Sequence, residues 1–421
     1  MAVIRPFKAL RPAAGRAVEV AALPYDVYSR EEAREAVQGK PVTFLKIDRA
    51  ETQFPEGMDI YADEVYQKAD EMLREMEADG VFVQDEKPCY YLYELIMDGR
   101  SQTGLVAASS VDDYMSGVIK KHENTRKEKE EDRVRHVDAC SAQTGPIFLA
   151  YRAKEEIRNL TDRIKQQEPR EDFTAEDGII HRVWVIDAEE DIQQLTAAFG
   201  EMDHTYIADG HHRAASAVRV SLKRREENPS YSGEEEYNFF LSVLFPDDEL
   251  LILDYNRVLK DLNGYTGQEI LDQLSRVCTV EKAPESPWRP AEKGEMGFLL
   301  GDTWYRLKAL DSCRMNGDPV ESLDVAFLQR EILKPIWGIE DPKSDGRIDF
   351  VGGIRGLMEL EERCRRDCAA AFSMYPTSIG ELFSVADADR LMPPKSTWFE
   401  PKLRSGLFIH KIERQKQDPV R

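Results

Sequence analysis

Five consecutive residues, Asp209-Gly210-His211-His212-Arg213, concentrate more reactive chemistry than any other stretch of this chain. A short apolar run, Thr205 to Ala208, leads into them, and an Ala- and Arg-rich helical pattern, Ala214 to Arg224, leads away. The pattern predicts a strand that ends, a glycine that frees the backbone, and a helix that begins. A helix start offers unpaired N–H groups and partial positive charge, which suit an anion such as phosphate. Arg213 adds a charge-assisted contact that can be bidentate. His211 and His212 can donate hydrogen bonds to phosphate oxygens or move protons. Asp209 would repel a bare phosphate, so its expected partner is Mg²⁺ or a substrate hydroxyl. The plainer alternative makes Asp209 a helix cap and the histidines ordinary half-buried residues. Two of the chain's seven histidines fall in this one turn, which weighs toward the functional alternative.

Three further segments carry reactive side chains. Lys120-Lys121-His122-Glu123-Asn124-Thr125 is followed by Lys127, Asp132, Arg133 and His136. Glu123 could serve as a general base there, and the Lys and Arg residues could hold phosphate. On composition alone such a run reads as a solvated face. Pro393-Pro394-Lys395-Ser396-Thr397, with Lys402 beyond it, has the Lys-Ser-Thr end of a P-loop without its upstream glycines, so it is not one. It reads as a basic, hydroxyl-rich loop that closes over an anion, or as a surface loop. Pro24-Tyr25-Asp26-Val27 reads as a turn, structural or pocket-lining. No GxGxxG, HExxH, GxSxG or zinc-ligand spacing occurs, which argues against a Rossmann oxidoreductase, a zincin or an α/β-hydrolase.

The elements that must position these residues alternate between the two periodicities. Val42 to Ile47, Cys89 to Leu95, Gly104 to Ser109, Pro146 to Tyr151, His181 to Ile186, Phe239 to Phe245 and Leu250 to Leu253 read as strands. Asp98-Gly99 marks a hairpin turn, and 296–309 reads as a second hairpin turning at Gly301-Asp302. Helical stripes run through 60–79, 153–167, 192–199 and 323–333, and Ser29-Arg-Glu-Glu reads as a helix N-cap. The alternation implies an α/β or α+β fold.

A length of 421 residues implies roughly two or three domains. Acidic residues outnumber basic ones, 79 to 57, for a net charge of −22, which disfavours DNA or an anionic membrane as partner. Six scattered cysteines without a CxxC pair suggest a reduced, intracellular chain. Cys364 and Cys368 read as two thiols on one helix, with no His nearby to make a metal site. No apolar stretch has signal or membrane-span length, so the cytoplasm is the expected compartment.

Taken together, PYDV (24–27), KHENT with its following EDR (121–133), GPIFLAY (145–151), ADGHHRAASA (208–217) and PPKSTWFEPKL (393–403) resemble a large family of bacterial and archaeal proteins of unknown function. The middle part is similar to the ParB/sulfiredoxin superfamily. That likeness implies a central mixed domain, 106–260, in which a turn at a helix start binds nucleotide phosphate, flanked by α/β parts at 1–105 and 261–421. Within the superfamily the chain resembles free serine kinases, which move phosphate from ADP or ATP to L-serine. The resemblance matches Asp209, Gly210, His211 and Arg213 to the kinases' Asp-Gly-His-x-Arg turn. It matches His122-Glu123 to their upstream His-Glu, whose Glu is the general base. It implies Glu123, Asp209 and His211 as catalytic residues, and Gly210, His212, Arg213, His122, Lys121, Lys395 and Lys402 around ADP or ATP. Asp209 would also hold Mg²⁺. The same parts could run the reaction in reverse or hydrolyse phosphoserine. A nucleotide-binding regulatory protein without turnover is the alternative from another class. A sulfiredoxin-type redox role would need Cys in the turn, and position 211 is His.

Overall fold

The computed structural model describes residues 1–412. The fold is mixed α/β, and the chain divides into two compact units, Met1–Leu250 with Pro401–Arg421, and Leu251–Glu400. The division falls elsewhere than at 105/106 and 260/261. The first of those positions lies inside the strand Arg100–Ser110, which is hydrogen-bonded on both sides within one sheet and so cannot be a boundary.

The first unit is built on a nine-stranded sheet. Its order is Ile119–Lys120, Thr205–Asp209, Ile147–Tyr151, Phe239–Pro246, Arg100–Ser110, Tyr90–Met97, Ile180–Ile186 and Glu171–Thr174, with Ile4–Arg5 also pairing on Arg100–Ser110. Two neighbouring pairs are parallel: Ile119–Lys120 with Thr205–Asp209, and Ile147–Tyr151 with Phe239–Pro246. The expected hairpin is present, turned by Asp98 (φ 52°) and Gly99 (φ 80°), the left-handed pair that a two-residue hairpin needs. Tyr90 to Leu95 is buried at every position because the sheet is covered on both faces. One core gathers Leu92, Leu149, Ile207, Phe240 and Leu244 with Leu195 and Phe199. The other packs Val65, Ala69, Met72 and Met76, the stripe of the helix Asp63–Ala78, against Phe44 and Phe82.

Two segments differ from expectation. Val42 to Ile47 forms no strand, and Leu45–Asp48 is a short helix. A six-residue run with four apolar residues is too short to carry a period that separates the two structures. The charged run at 115–137 is not one solvated face. It divides into the helix Val111–Ser116, the strand Ile119–Lys120, a loop over 121–126 and the helix Lys127–Cys140. That last helix buries Arg133, His136, Val137 and Cys140, a stripe at i, i+3, i+4 and i+7. Two of its four positions are polar, which hid the stripe from a hydrophobicity reading.

The second unit has a six-stranded, wholly antiparallel sheet. Its order is Cys278–Lys282, Thr303–Ala309, Glu295–Leu300, Ala370–Met374, Tyr255–Leu259 and Ile348–Gly352. The hairpin turning at Gly301-Asp302 is as expected, whereas the strands at 255–259, 278–282, 348–352 and 370–374 were not foreseen. Cys364 and Cys368 are free thiols, but only Cys364 lies on the helix Met358–Arg366, which ends before Cys368, so the two do not share one helix as expected. Among the described residues, no helix is long and apolar enough to cross a membrane.

Candidate functional site

The strands Ile119–Lys120 and Thr205–Asp209 are parallel neighbours, paired Ile119 to Thr205 and Lys120 to Tyr206. Their carboxyl ends therefore leave the sheet at the same edge, the usual place for ligands on sheets with parallel strands. Lys121 to Arg126 follows one strand end, and Gly210 to Arg213 follows the other. On the opposite side, Thr205–Asp209 pairs Ile207 with Leu149 and Asp209 with Phe148, so Ala208 is an extra, bulged residue. Such a bulge re-aims the side chain after it, which here is Asp209. Gly210 then takes φ 94°, ψ 30° as N-cap of the helix His211–Glu227. A Cβ at Gly210 would also stand 3.0 Å from Nε of Arg213, so another residue there is strained in its backbone and displaces the guanidinium.

Both histidines of the turn bind the backbone of the loop opposite. The His122 N–H donates to Nε2 of His211 at 3.5 Å, and the Arg126 N–H donates to Nε2 of His212 at 2.9 Å. The loop containing Glu123 is thus tied at both ends to the first turn of the helix, which brings the two sequence segments together. Accepting at Nε2 leaves the proton of His211 on Nδ1. The His122 and His211 rings meet edge to face, centroids 4.5 Å apart. Burial lowers the His122 imidazole to about 4, against a small opposing effect of its hydrogen bond to the Ile207 backbone. Burial, then the neighbouring His122, also lowers His211 well below its ordinary value. Both rings are neutral near pH 7 and serve as hydrogen-bonding groups, not as cations. Positive charge comes from elsewhere.

It comes from Lys402 and Arg213. Nζ of Lys402 donates to Oδ2 of Asp209 at 3.0 Å, and the Gly210 N–H donates to Oδ1 at 2.8 Å. Arg213 lies 3.9 Å from Oδ2 and donates to the Pro146 carbonyl. Its Cδ would be 3.5 Å from a Cβ on Gly145, so the Gly145-Pro146 pair shapes the groove that holds it. Burial alone would raise the Asp209 carboxyl, but Lys402 and then Arg213 outweigh it and hold the carboxyl far below its usual range. Lys121 is exposed, with Nζ 4.4 Å above the Tyr114 ring. Lys395 belongs to the second unit, where its carbonyl accepts from Arg257 and its ammonium lies 5.5 Å from the Tyr255 ring centre.

The donor set does not fit a metal held by the protein. Among the described residues no three His, Cys, Asp or Glu side chains are grouped to hold an ion. Asp209, the expected ligand, has one oxygen on a backbone N–H and the other on an ammonium. The arrangement has the groups an anion would need: helix N–H groups, one guanidinium and one ammonium, with a neutral imidazole beside them. The strand pairing that assembles it and the Lys402–Asp209 pair had no local signature in sequence.

Similar folds occur among solved structures. A free serine kinase variant in complex with ADP is 14% identical at a TM-score of 0.36, covering 72% of this chain and 92% of that one. SbnI with a C-terminal truncation, from Staphylococcus aureus, is 14% identical at 0.38, covering 74% and 90%. A conserved hypothetical protein from Pyrococcus furiosus is 15% identical at 0.34, covering 72% and 94%. At these values the likeness says nothing about what this chain binds. No curated protein matches it. A family model described as protein of unknown function (DUF1015) matches residues 4–326, most of the chain, and the chain belongs to that family.

Proposed function

We propose that the protein is a nucleotide-dependent phosphotransferase acting on a small hydroxyl amino acid, serine first among them, with ADP or ATP as donor. The observation that carries this reading is the loop of Glu123 tied by two backbone hydrogen bonds across the helix start of Asp209–Arg213. Phosphoryl transfer needs positioning and charge neutralisation more than covalent chemistry. In this reading the N–H groups of the first helical turn, Arg213 and Lys402 hold phosphate oxygens, with exposed Lys121 at the rim. Asp209 keeps Lys402 in place and orients the acceptor hydroxyl. Glu123 takes the hydroxyl proton, and Nδ1–H of His211 donates to the transferring group. No step is routed through a metal ion.

The test is incubation of the purified protein with serine and ADP or ATP, in magnesium-containing buffer, followed by ³¹P NMR or mass spectrometry for phosphoserine. Wild type forms phosphoserine, Glu123→Gln keeps nucleotide binding but loses product, and Asp209→Asn loses product. Absence of product from either donor, with wild type and Asp209→Asn alike, sinks the reading.

A further inference from the structure

The Pro24–Val27 turn and the buried Arg133 and His136 have no role in the phosphate edge, yet they meet in one place. An inner cavity of about 30 Å³ is walled by Tyr25, Asp48, Arg133, His136, Thr144 and Arg213, among others. An outer cavity of about 210 Å³ shares Tyr25, Asp48, Arg133 and His136 with it. The outer volume is below the range of drug-sized pockets and suits a smaller molecule.

In the shared wall one buried atom lacks a partner, and a buried carboxylate near it has spare hydrogen-bonding capacity. Asp48 is 4% exposed and accepts one hydrogen bond, from Oγ1 of Thr144 at 3.0 Å. The guanidinium groups around it hydrogen-bond to other carboxylates: Arg133 to Asp132 at 2.9 Å, and Arg49 to Glu51 at 2.6 Å. A buried carboxylate without a hydrogen-bonded cation is expensive. His136 is 3% exposed, and its Nε2 donates to the Ile47 carbonyl at 3.1 Å. Its Nδ1 therefore carries a lone pair, and that atom is buried with no hydrogen-bond partner among the described residues. Burial, then the nearby Arg133, favours the neutral ring. Asp48 directly follows the residue whose carbonyl holds this ring. A carboxylate and a ring with an unspent acceptor lone pair, both lining one cavity, call for a cationic group with several N–H donors, which describes a primary ammonium. Arg133, with its guanidinium 4.1 Å from the Tyr25 ring centre, stands in the same wall for an accompanying carboxylate.

We propose that this cavity seats the ammonium group of a small α-amino acid, with Asp48 as its counter-charge and Nδ1 of His136 as an acceptor. The proposal rests on the phosphotransferase reading only for which amino acid is bound. Arg213 links the two places, since it walls the inner cavity and lies 3.9 Å from Asp209.

The experiment is calorimetric titration of the full chain with L-serine, L-alanine, L-lactate and ethanolamine, each with and without ADP. Lactate replaces the ammonium of alanine by hydroxyl, so this contrast needs no variant. Alanine or serine is expected to bind at least 10-fold more tightly than lactate, and Asp48→Asn to lose at least 10-fold in amino-acid affinity. Lactate binding as well as alanine, no binding by any of the amines, or a folded Asp48→Asn with unchanged affinity would each overturn the proposal. Should Asp48→Asn fail to fold, the alanine–lactate contrast decides. If wild type makes phosphoserine while Asp48→Asn keeps the same KM for serine, this proposal falls and the phosphotransferase reading stands. If no phosphoserine forms but the preference for alanine over lactate is present and lost in Asp48→Asn, the reverse holds.

Discussion

The two units differ in where their histidines and their parallel strands lie. All seven histidines lie in the first unit, and residues 251–400 contain none. In the first unit two parallel strand pairs send chain ends to common edges, and buried imidazole nitrogens at His122 and His136 are left without partners among the described residues. In the second, every pair in the six-stranded sheet is antiparallel, so successive strand ends alternate between edges. Two of its buried charges are closed by near neighbours, while Nε1 of Trp288 and Oε1 of Gln329 are buried without partners among the described residues. Arg257 donates to the Tyr255 and Lys395 carbonyls, and Asp254 accepts from Arg289 at 2.6 Å and from Asn256 at 2.5 Å. The difference teaches where to look for ligand chemistry. Unspent hydrogen-bonding capacity in a buried wall marks a place built for something else to fill.

The largest effects should separate two lysines that looked alike in sequence. Arg213→Ala and Asp209→Asn are expected to lower kcat for phosphoserine formation by 100-fold or more, about 2.7 kcal/mol of barrier. Lys402→Ala, which strips the ammonium from Asp209, should cost roughly 10-fold, about 1.4 kcal/mol. Lys395→Ala in the second unit should stay within about 2-fold, well under 1 kcal/mol. Equal losses at Lys395 and Lys402 in steady-state assays would break the division of labour between the units.

Through its buried histidines and Asp324, acid should move the units in opposite directions, with Asp113, Glu171 and Glu249 of the first unit, raised by burial, offsetting part of the histidine effect. Folded His122 titrates at about 4, against about 6.5 in an unfolded chain. Between those values the unfolded chain binds more protons, so the first unit loses stability as pH falls, by about 3 kcal/mol for this residue alone. His181, lowered to about 3 by burial and then by Arg404, acts in the same sense. In the second unit burial pushes the Asp324 carboxyl up to about 6, above the unfolded value of about 3.9. That contribution is fully present below pH 4 and is lost as pH rises through 6. Urea unfolding at pH 7 and pH 4.5 can follow each unit by fluorescence. Trp184 is the first unit's single tryptophan, while Trp288, Trp304, Trp337 and Trp398 are in the second. Parallel shifts of both signals would contradict the contrast.

The smallest effect compares two glycines. Both Gly210 (φ 94°) and Gly301 (φ 57°) are left-handed, but a Cβ at Gly301 meets nothing within 4 Å. Gly301→Ala should cost only the backbone strain, about 1 kcal/mol. Gly210→Ala should cost more and should also raise KM for nucleotide, because Arg213 must move. Thermal unfolding and kinetics read the two apart.

Local physics accounts for what was legible before the structure. The apolar run, glycine and helical pattern around Asp209–Arg213 appear as a strand, a left-handed N-cap and a helix. The Asp98-Gly99 and Gly301-Asp302 hairpins and the capping box of Ser29 with Glu32 are likewise determined by neighbours in sequence. Val42 to Ile47 was illegible because a six-residue run with four apolar residues suits strand or helix equally. The buried stripe of Lys127–Cys140 was illegible because Arg133 and His136 stand where apolar residues usually do.

By itself, then, the sequence determined many of the elements, the hairpin turns and the reactive side chains at 121–123 and 209–213, since those follow from spacing and backbone preference within a few residues. Only the tertiary structure decided that Ile119–Lys120 lies beside Thr205–Asp209, that Lys402 reaches Asp209, and that Tyr25, Asp48, Arg133 and His136 share a wall. These are contacts between distant segments. They come from strand pairing and burial across the whole unit, and side chains of any one segment carry no record of which partner the fold will supply.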